Sequence, residues 1–281
     1  METLEATPVR VRPRPQIQSQ PDEVPTAAPT PAREVVFSFF RYRTSHALSA
    51  FILMGFQGLV RGRAGNRRNA MPAGMIRLMG CGGADGFSIV PDFTRYCILS
   101  ALERPAERDR LQQTRLYRMV ARPSIEQLHF VLEPASGHGT WDGEVPFQYS
   151  NQRVGSRPFA VLTHATVHRS RARAFWKSVP DVRQNLRDVS GCAYHIGFGE
   201  HPFLTLATFS IWQDLPSMQQ FAYRHTAHHR TSKAARSESW LSESLFVRFA
   251  IKRIEGDLVP HPGLRRLAAA GPIQTGAPDL C

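Results

Sequence analysis

The sequence predicts an α+β protein in which one β-α-β-β-α-β unit occurs twice between two unfolded tails. Three observations carry this. Apolar runs of β type come in two sets of four. Each set is interrupted twice by helix-start residues or helical spacing. The ends, residues 1–33 and 255–281, offer little apolar periodicity. Residues 1–33 hold seven prolines and few large apolar groups, which reads as a disordered tail. Residues 255–281, with Pro, Gly and Ala, read as a flexible tail. The folded part is then 34–254.

Glu34–Tyr42, EVVFSFFRY, is the first strand. Thr44 and Ser45 are expected to cap a helix running to about Val60. The Gly-rich stretch GCGGADGF, Gly80–Phe87, separates two β-type runs, MIRLM and TRYCILSAL. Pro105 suits the first turn of a helix through about Met119, and the alternating IEQLHFVLE, Ile125–Glu133, closes the first half at about residue 135. The second half, about 158–254, opens with FAVLTHATVH, Phe159–His168. A helix is expected over Arg171–Leu186, with Phe175, Val179 and Val182 near helical spacing. CAYHIGFGE (Cys192–Glu200) and LTLATFSIW (Leu204–Trp212) follow as strands. Asp214 is the expected N-cap of the next helix, and FVRFAIKRI, Phe246–Ile254, is the last strand. This is the split βαβ order of the ferredoxin-like fold, and two such halves pack sheet to sheet in dimeric α/β-barrel proteins.

Composition narrows the function. The apolar fraction, 42%, excludes a wholly disordered chain. Four cysteines without a CxxC pair argue against a zinc module or disulfide scaffold and fit a reducing compartment. The longest apolar run, Ala47–Val60, is short of the roughly 20 residues of a membrane span. The N-terminal stretch lacks the apolar core of a secretory signal, and its acidic residues argue against a transit peptide. A cytoplasmic protein is expected, with a peripheral place on the inner membrane as the extension of that reading. The formal charge of +12 fits a solvated surface, anionic lipid or nucleic acid. No RNP motif, zinc finger or helix-turn-helix supports the last, so no nucleic acid is expected.

The chemistry-bearing residues are few. GCGGADGF is neither a dinucleotide fingerprint nor a P-loop. It is a turn between strands, or a place where backbone closely approaches a ligand through Gly80, Gly82, Gly86 and Phe87. His225, His228 and His229 lie within FAYRHTAHHR. On a helix His225 shares a face with either neighbour, an arrangement open to a metal or haem iron and equally to a solvated basic surface. His164 and His168 share a strand face by period two, and His195 sits on a later strand. Cys81 and Cys192 are thiolate candidates or inert buried thiols.

Taken together, SFFRY (38–42), MG (54–55), GCGGADGF, VP (90–91), Tyr96 with Ile98-Leu99, and FW (175–176) form a pattern. IGFGE-x-P (196–202), TFSIW (208–212) and W-x-x-E-x-L-x-x-RF (240–249) complete it. In this order and spacing, over about 35–250, the chain resembles the spheroidene monooxygenases, acyclic carotenoid 2-ketolases of photosynthetic bacteria. The resemblance implies a haem-dependent oxidoreductase holding haem b iron. It implies O2 and reduced ferredoxin as co-reactants and an acyclic carotenoid such as spheroidene as substrate. Two hydroxylations at C2 give a geminal diol that loses water to the ketone. The family pattern places a histidine at His228, which makes it the implied iron ligand, with His225 in reserve. A bilayer-dwelling substrate also implies a peripheral anionic membrane surface as a partner. A non-catalytic haem- or lipid-binding protein of the same fold is the alternative. The chain departs from the family at Met79 and Cys81 and in its Pro-rich start.

Overall fold

The computed structural model describes residues 34–53, 75–83, 88, 90–104, 106–177, 190–200, 203–224, 240–271 and 273–276. Its strands are β1 (Glu34–Arg41), β2 (Met75–Gly82), β3 (Pro91–Leu102), β4 (Glu126–Gly139), β5 (Phe159–Val167), β6 (Cys192–Gly199), β7 (Thr205–Trp212), β8 (Leu241–Gly256) and β9 (Gln274–Gly276). The helices are α1 (47–53), α2 (Ala106–Gln113), α3 (Arg115–Ala121), α4 (172–177), α5 (Leu215–Arg224) and α6 (Pro262–Ala269).

The strand order is β4-β1-β3-β2-β6-β7-β5-β8, and β8 pairs back onto β4. These eight strands close an antiparallel barrel, and β9 adds to β8 in parallel. The first four strands run 4-1-3-2 across the sheet, and the second four repeat that order. The two seams between the halves differ. β4 and β8 pair along most of their length, from Leu128↔Gly256 to Gly139↔Leu245. β2 and β6 meet only at Gly80↔Gly199 and Cys81↔Phe198.

Period-two alternation sends Val35, Phe37 and Phe39 inward from β1 and Phe40 and Tyr42 outward. The barrel interior is packed with rings. Phe209 lies 4.6 Å from Phe37 and 5.0 Å from Phe130 between ring centroids. Phe198 and Phe249 also pack against Phe37. The inside is therefore core and not a pore.

On the outside of the first half, α2 and α3 cover β1 and β3. Tyr42 Oη donates to the Val120 carbonyl at 2.7 Å, and Tyr117 Oη lies 3.4 Å from Ser38 Oγ. On the second half, Met218 and Phe221 of α5 and Phe175 of α4 pack with Phe159, Trp212 and Trp240.

Several expectations change. The helix after β1 is capped at Arg43 without a side-chain bond, so Thr44 and Ser45 are not caps. Residues 54–60 lie outside the described residues. Gly80, Cys81 and Gly82 belong to β2 because they pair with β3 and β6. The helix expected through Met119 is two helices, broken where Thr114 accepts from Tyr117 N and caps α3. β4 and β8 run well past their expected ends because β8 holds β4 out to Gly139 and β5 holds β8 back to Leu241. Asp214 does cap α5, accepting from Ser217 N at 2.8 Å. His168 lies just after β5 and is exposed, so it does not share the His164 face.

The expected C-terminal tail carries α6 and β9. Pro262 starts α6, and Leu264 and Leu267, three apart, are buried in the main core. Residues 1–33 lie outside the described residues.

Candidate functional site

The two halves present the same strand order to their helices, yet their outward faces differ at the centre. On the first half, Ser38 sits mid-sheet between Ile98 and His129 and is only 3% exposed. On the second half, the matching position is Thr163, flanked by Thr208 and Phe246, and it is exposed. A mid-strand residue with a neighbour on each side is open to solvent only where the covering layer parts. Among the described residues, the outward face of β6-β7-β5-β8 carries α5 near Phe159 and Trp212 and α4 with Trp240 near Val167, with Thr163 exposed between them.

One row of outward positions crosses its floor: His195, Ser210, Val161 and Arg248. The next row holds Thr208, Thr163 and Phe246. Ser210 Oγ lies 2.9 Å from Trp212 Nε1 and accepts its proton. The Arg248 guanidinium lies over the Phe246 ring, 5.3 Å from its centroid. His138 stacks on the same ring at 5.6 Å. Arg248 Nε is buried without a hydrogen-bond partner, and among the described residues no carboxylate pairs with this cation. The face therefore joins an apolar floor to a half-buried guanidinium whose Nε has no hydrogen-bond partner among the described residues. That combination suits a flat apolar ligand bearing an anionic edge.

The barrel mouths are closed. At one mouth Trp141 stacks face to face on His164, 4.1 Å between centroids and 13° between planes. Trp141 Nε1 donates to Glu200 at 3.3 Å. Arg77 bridges Glu200 at 3.2 Å and Asp142 at 2.6 Å. Glu243 accepts from Thr140 Oγ1 at 2.8 Å, Asp142 N at 3.1 Å and Gly143 N at 2.7 Å. The glutamates of IGFGE and W-x-x-E are thus a latch that holds the Trp141 loop. Gly139 enters this loop at φ 97°, where a Cβ would strike the Ser244 carbonyl.

At the other mouth, α6 brings His261 to 2.9 Å from Glu126. A small recess of about 20 Å³, partly open to solvent, lies here between Phe39, Arg41, Cys81, Tyr194 and His261. It is too small for a long polyene.

Gly80 faces outward into open space, with nothing within 4 Å of a Cβ built on it. Gly82 pairs with Pro91. Gly86 and Phe87 lie outside the described residues, as do His225, His228 and His229. Burial pushes the Cys81 and Cys192 thiols up to about 12, so both are protonated. His164 faces the barrel interior against Trp141, with neither ring nitrogen hydrogen-bonded. Among the described residues no three metal-binding side chains come together, and no helix is long and apolar enough to cross a membrane. Sequence reasoning missed Thr163 and Arg248 as a site. Arg248 stood within the 240–249 motif, but nothing local marks its position on this face.

His164 also carries a pH dependence. Burial lowers its imidazole from 6.5 to about 4, and Arg77 adds to the effect against Glu243 and Asp142. Burial and Arg108 likewise lower His129 to about 4. Between about pH 6.5 and about 4 the unfolded chain binds protons that the folded chain refuses. Stability is fully present above that window and falls as the pH drops through it, by roughly 1.4 kcal/mol per pH unit for each histidine. Denaturant unfolding of the wild type and His164→Leu at neutral and mildly acid pH checks this. His164→Leu flattens the acid loss, and an unchanged slope shows that the imidazole is not its source.

No protein-family model matches the chain. Curated relatives do. The chain is 32% identical over 183 residues to the spheroidene monooxygenase of Rhodobacter capsulatus, covering 64% of this chain and 76% of that one. It is 35% identical over 190 residues to the spheroidene monooxygenase of Rubrivivax gelatinosus, covering 66% and 71%. A third, from Cereibacter sphaeroides, is 34% identical over 178 residues, and the chain spans 55% of its length. Among solved structures, an aldoxime dehydratase in complex with butyraldoxime superposes with a TM-score of 0.50 at 10% identity, covering 78% of this chain and 80% of that one. That likeness is one of fold. The relatives and the barrel define an oxidoreductase, an enzyme of the monooxygenase class. The chain belongs to the spheroidene monooxygenase family.

Proposed function

We propose that this protein is a haem-dependent monooxygenase that oxidises an acyclic carotenoid such as spheroidene at C2 to the keto form. It uses O2 and electrons from reduced ferredoxin, and it meets its substrate at an anionic membrane surface. Kinship with three spheroidene monooxygenases, at 32% to 35% identity, is the observation that carries the reading. The repeated 4-1-3-2 strand order supports taking the halves as duplicated ferredoxin-like units.

The outward face of the second half, at Thr163, is the proposed seat of both haem and substrate. Haem b, when bound, supplies the oxygen chemistry. The chain's part is to hold it, to orient the polyene and to keep water away. The half-buried Arg248 guanidinium, whose Nε has no hydrogen-bond partner among the described residues, offers donors to the carboxylate edge of such a group. Val161 and Phe246 offer apolar floor, and Thr163 and Thr208 the open centre. Cys81 is packed in the barrel core, away from this face. The proposed iron ligand is His228, with His225 in reserve, and both lie outside the described residues.

The test is the visible spectrum of purified protein together with turnover of spheroidene under O2 and reduced ferredoxin. His228→Ala loses the Soret band and turnover, while His229→Ala, about 100° round a helix, keeps both. A wild-type spectrum for His228→Ala places the ligand elsewhere. Haem without turnover makes the protein a carrier of the same fold.

A further inference from the structure

The helix α1 is turned inside out. Leu48, Phe51 and Ile52, spaced as one helical face, point to solvent, and Val90 and Phe93 at the start of β3 do the same. These five side chains are between 46% and 71% exposed. Phe51 meets Phe93 edge to face at 5.4 Å, which joins helix and strand into one patch. Only the narrow side of α1, Ala50 and Leu53, packs on the cluster of Tyr42, Tyr96 and Tyr117. An ordinary surface helix buries its apolar face and shows its polar one. Soluble proteins seldom expose a contiguous patch of this kind without a partner for it.

The sequence that contains α1 is strongly basic. From Val35 to Ala84 the chain has no Asp or Glu and seven arginines: Arg41, Arg43, Arg61, Arg63, Arg67, Arg68 and Arg77. Arg41 and Arg77 are engaged with Glu126, Glu200 and Asp142. Arg43 stands exposed directly before α1. Asp92, between Val90 and Phe93, is paired with Arg95 at 3.6 Å, and an apolar helix in an arginine-rich stretch of chain is the make-up of an interfacial helix on anionic lipid. A second copy of the same surface would bring like charges together and is disfavoured.

We propose that α1 with Val90 and Phe93 is a membrane-docking surface that inserts shallowly into an anionic leaflet. This deepens the membrane part of the proposed function, on which it rests, and is independent of haem. It also names the side chains that enter the lipid.

The experiment is flotation of the full chain with phosphatidylcholine vesicles, with and without phosphatidylglycerol. Wild type binds the anionic vesicles, and salt weakens the binding without abolishing it. Phe51→Ser with Ile52→Ser lowers partitioning by about tenfold or more at an unchanged melting temperature, because exposed apolar area is lost. Phe51→Trp adds an indole whose emission shifts to the blue and is quenched by brominated lipid. Full binding by the double substitution, with the indole still open to aqueous quencher, overturns the surface but not the membrane reading. Absence of wild-type binding to any vesicle overturns both. A lipid-free dimer that the double substitution dissociates assigns the patch to self-association and overturns the proposal.

Discussion

Phe209→Ala lowers the unfolding free energy by about 3–5 kcal/mol, the range for removing a fully buried ring. Phe209 has no exposed surface and stands at the centre of the barrel. Besides Phe37 and Phe130, its ring meets Phe39 at 6.0 Å and Tyr194 at 6.5 Å. These neighbours are on three other strands, β1, β4 and β6. None collapses into the void without leaving its own pairing, so the cavity stays open. Phe51→Ala, at a solvent-exposed ring, shifts stability by no more than about 0.5 kcal/mol. Chemical denaturation of the two variants checks the contrast. Equal effects would mean that the interior rings do not bear on one another as packed.

Thr163→Trp leaves stability near that of the wild type and removes function. The position is exposed and lies mid-strand, where an aromatic residue is well accommodated. If haem and polyene lie on this face, the indole occupies their floor. Overpacking of about 1–3 kcal/mol is then met on binding, which is about fivefold to a hundredfold in affinity. Thr163→Ser, of nearly the same shape, keeps binding. The measurements are ferric haem titration of the apoprotein and turnover by the holoenzyme, with thermal melts as the control. Wild-type haem uptake and turnover by Thr163→Trp would move the site off this face.

Much of the architecture is local and was legible. Alternation in FAVLTHATV and TLATFSIW marks β5 and β7, and Asp214 marks the start of α5, because side-chain period and capping act within a few residues. The misreadings have one cause. Gly80–Gly82 looked like a turn but is strand, since its backbone is claimed by β3 and β6 from distant parts of the chain. Leu264 and Leu267 looked like tail residues, yet they find the barrel core that α6 caps. The two glutamates of the family motifs were visible as letters only. Their convergence on the Trp141 loop needs strands β6 and β8 brought to one mouth.

What the sequence by itself determined is the order of elements, their repetition, and the family, through residues spread from Ser38 to Phe249. Only the tertiary structure decided which of two like faces is open. Ser38 and Thr163 are chemically similar, mid-strand and outward-facing, and nothing near them in the chain tells them apart. One is buried by Tyr117 of α3, and the other is left bare between α4 and α5. Burial is set by what packs on a residue from far away in sequence, and so is the unpartnered Nε that, among the described residues, marks Arg248.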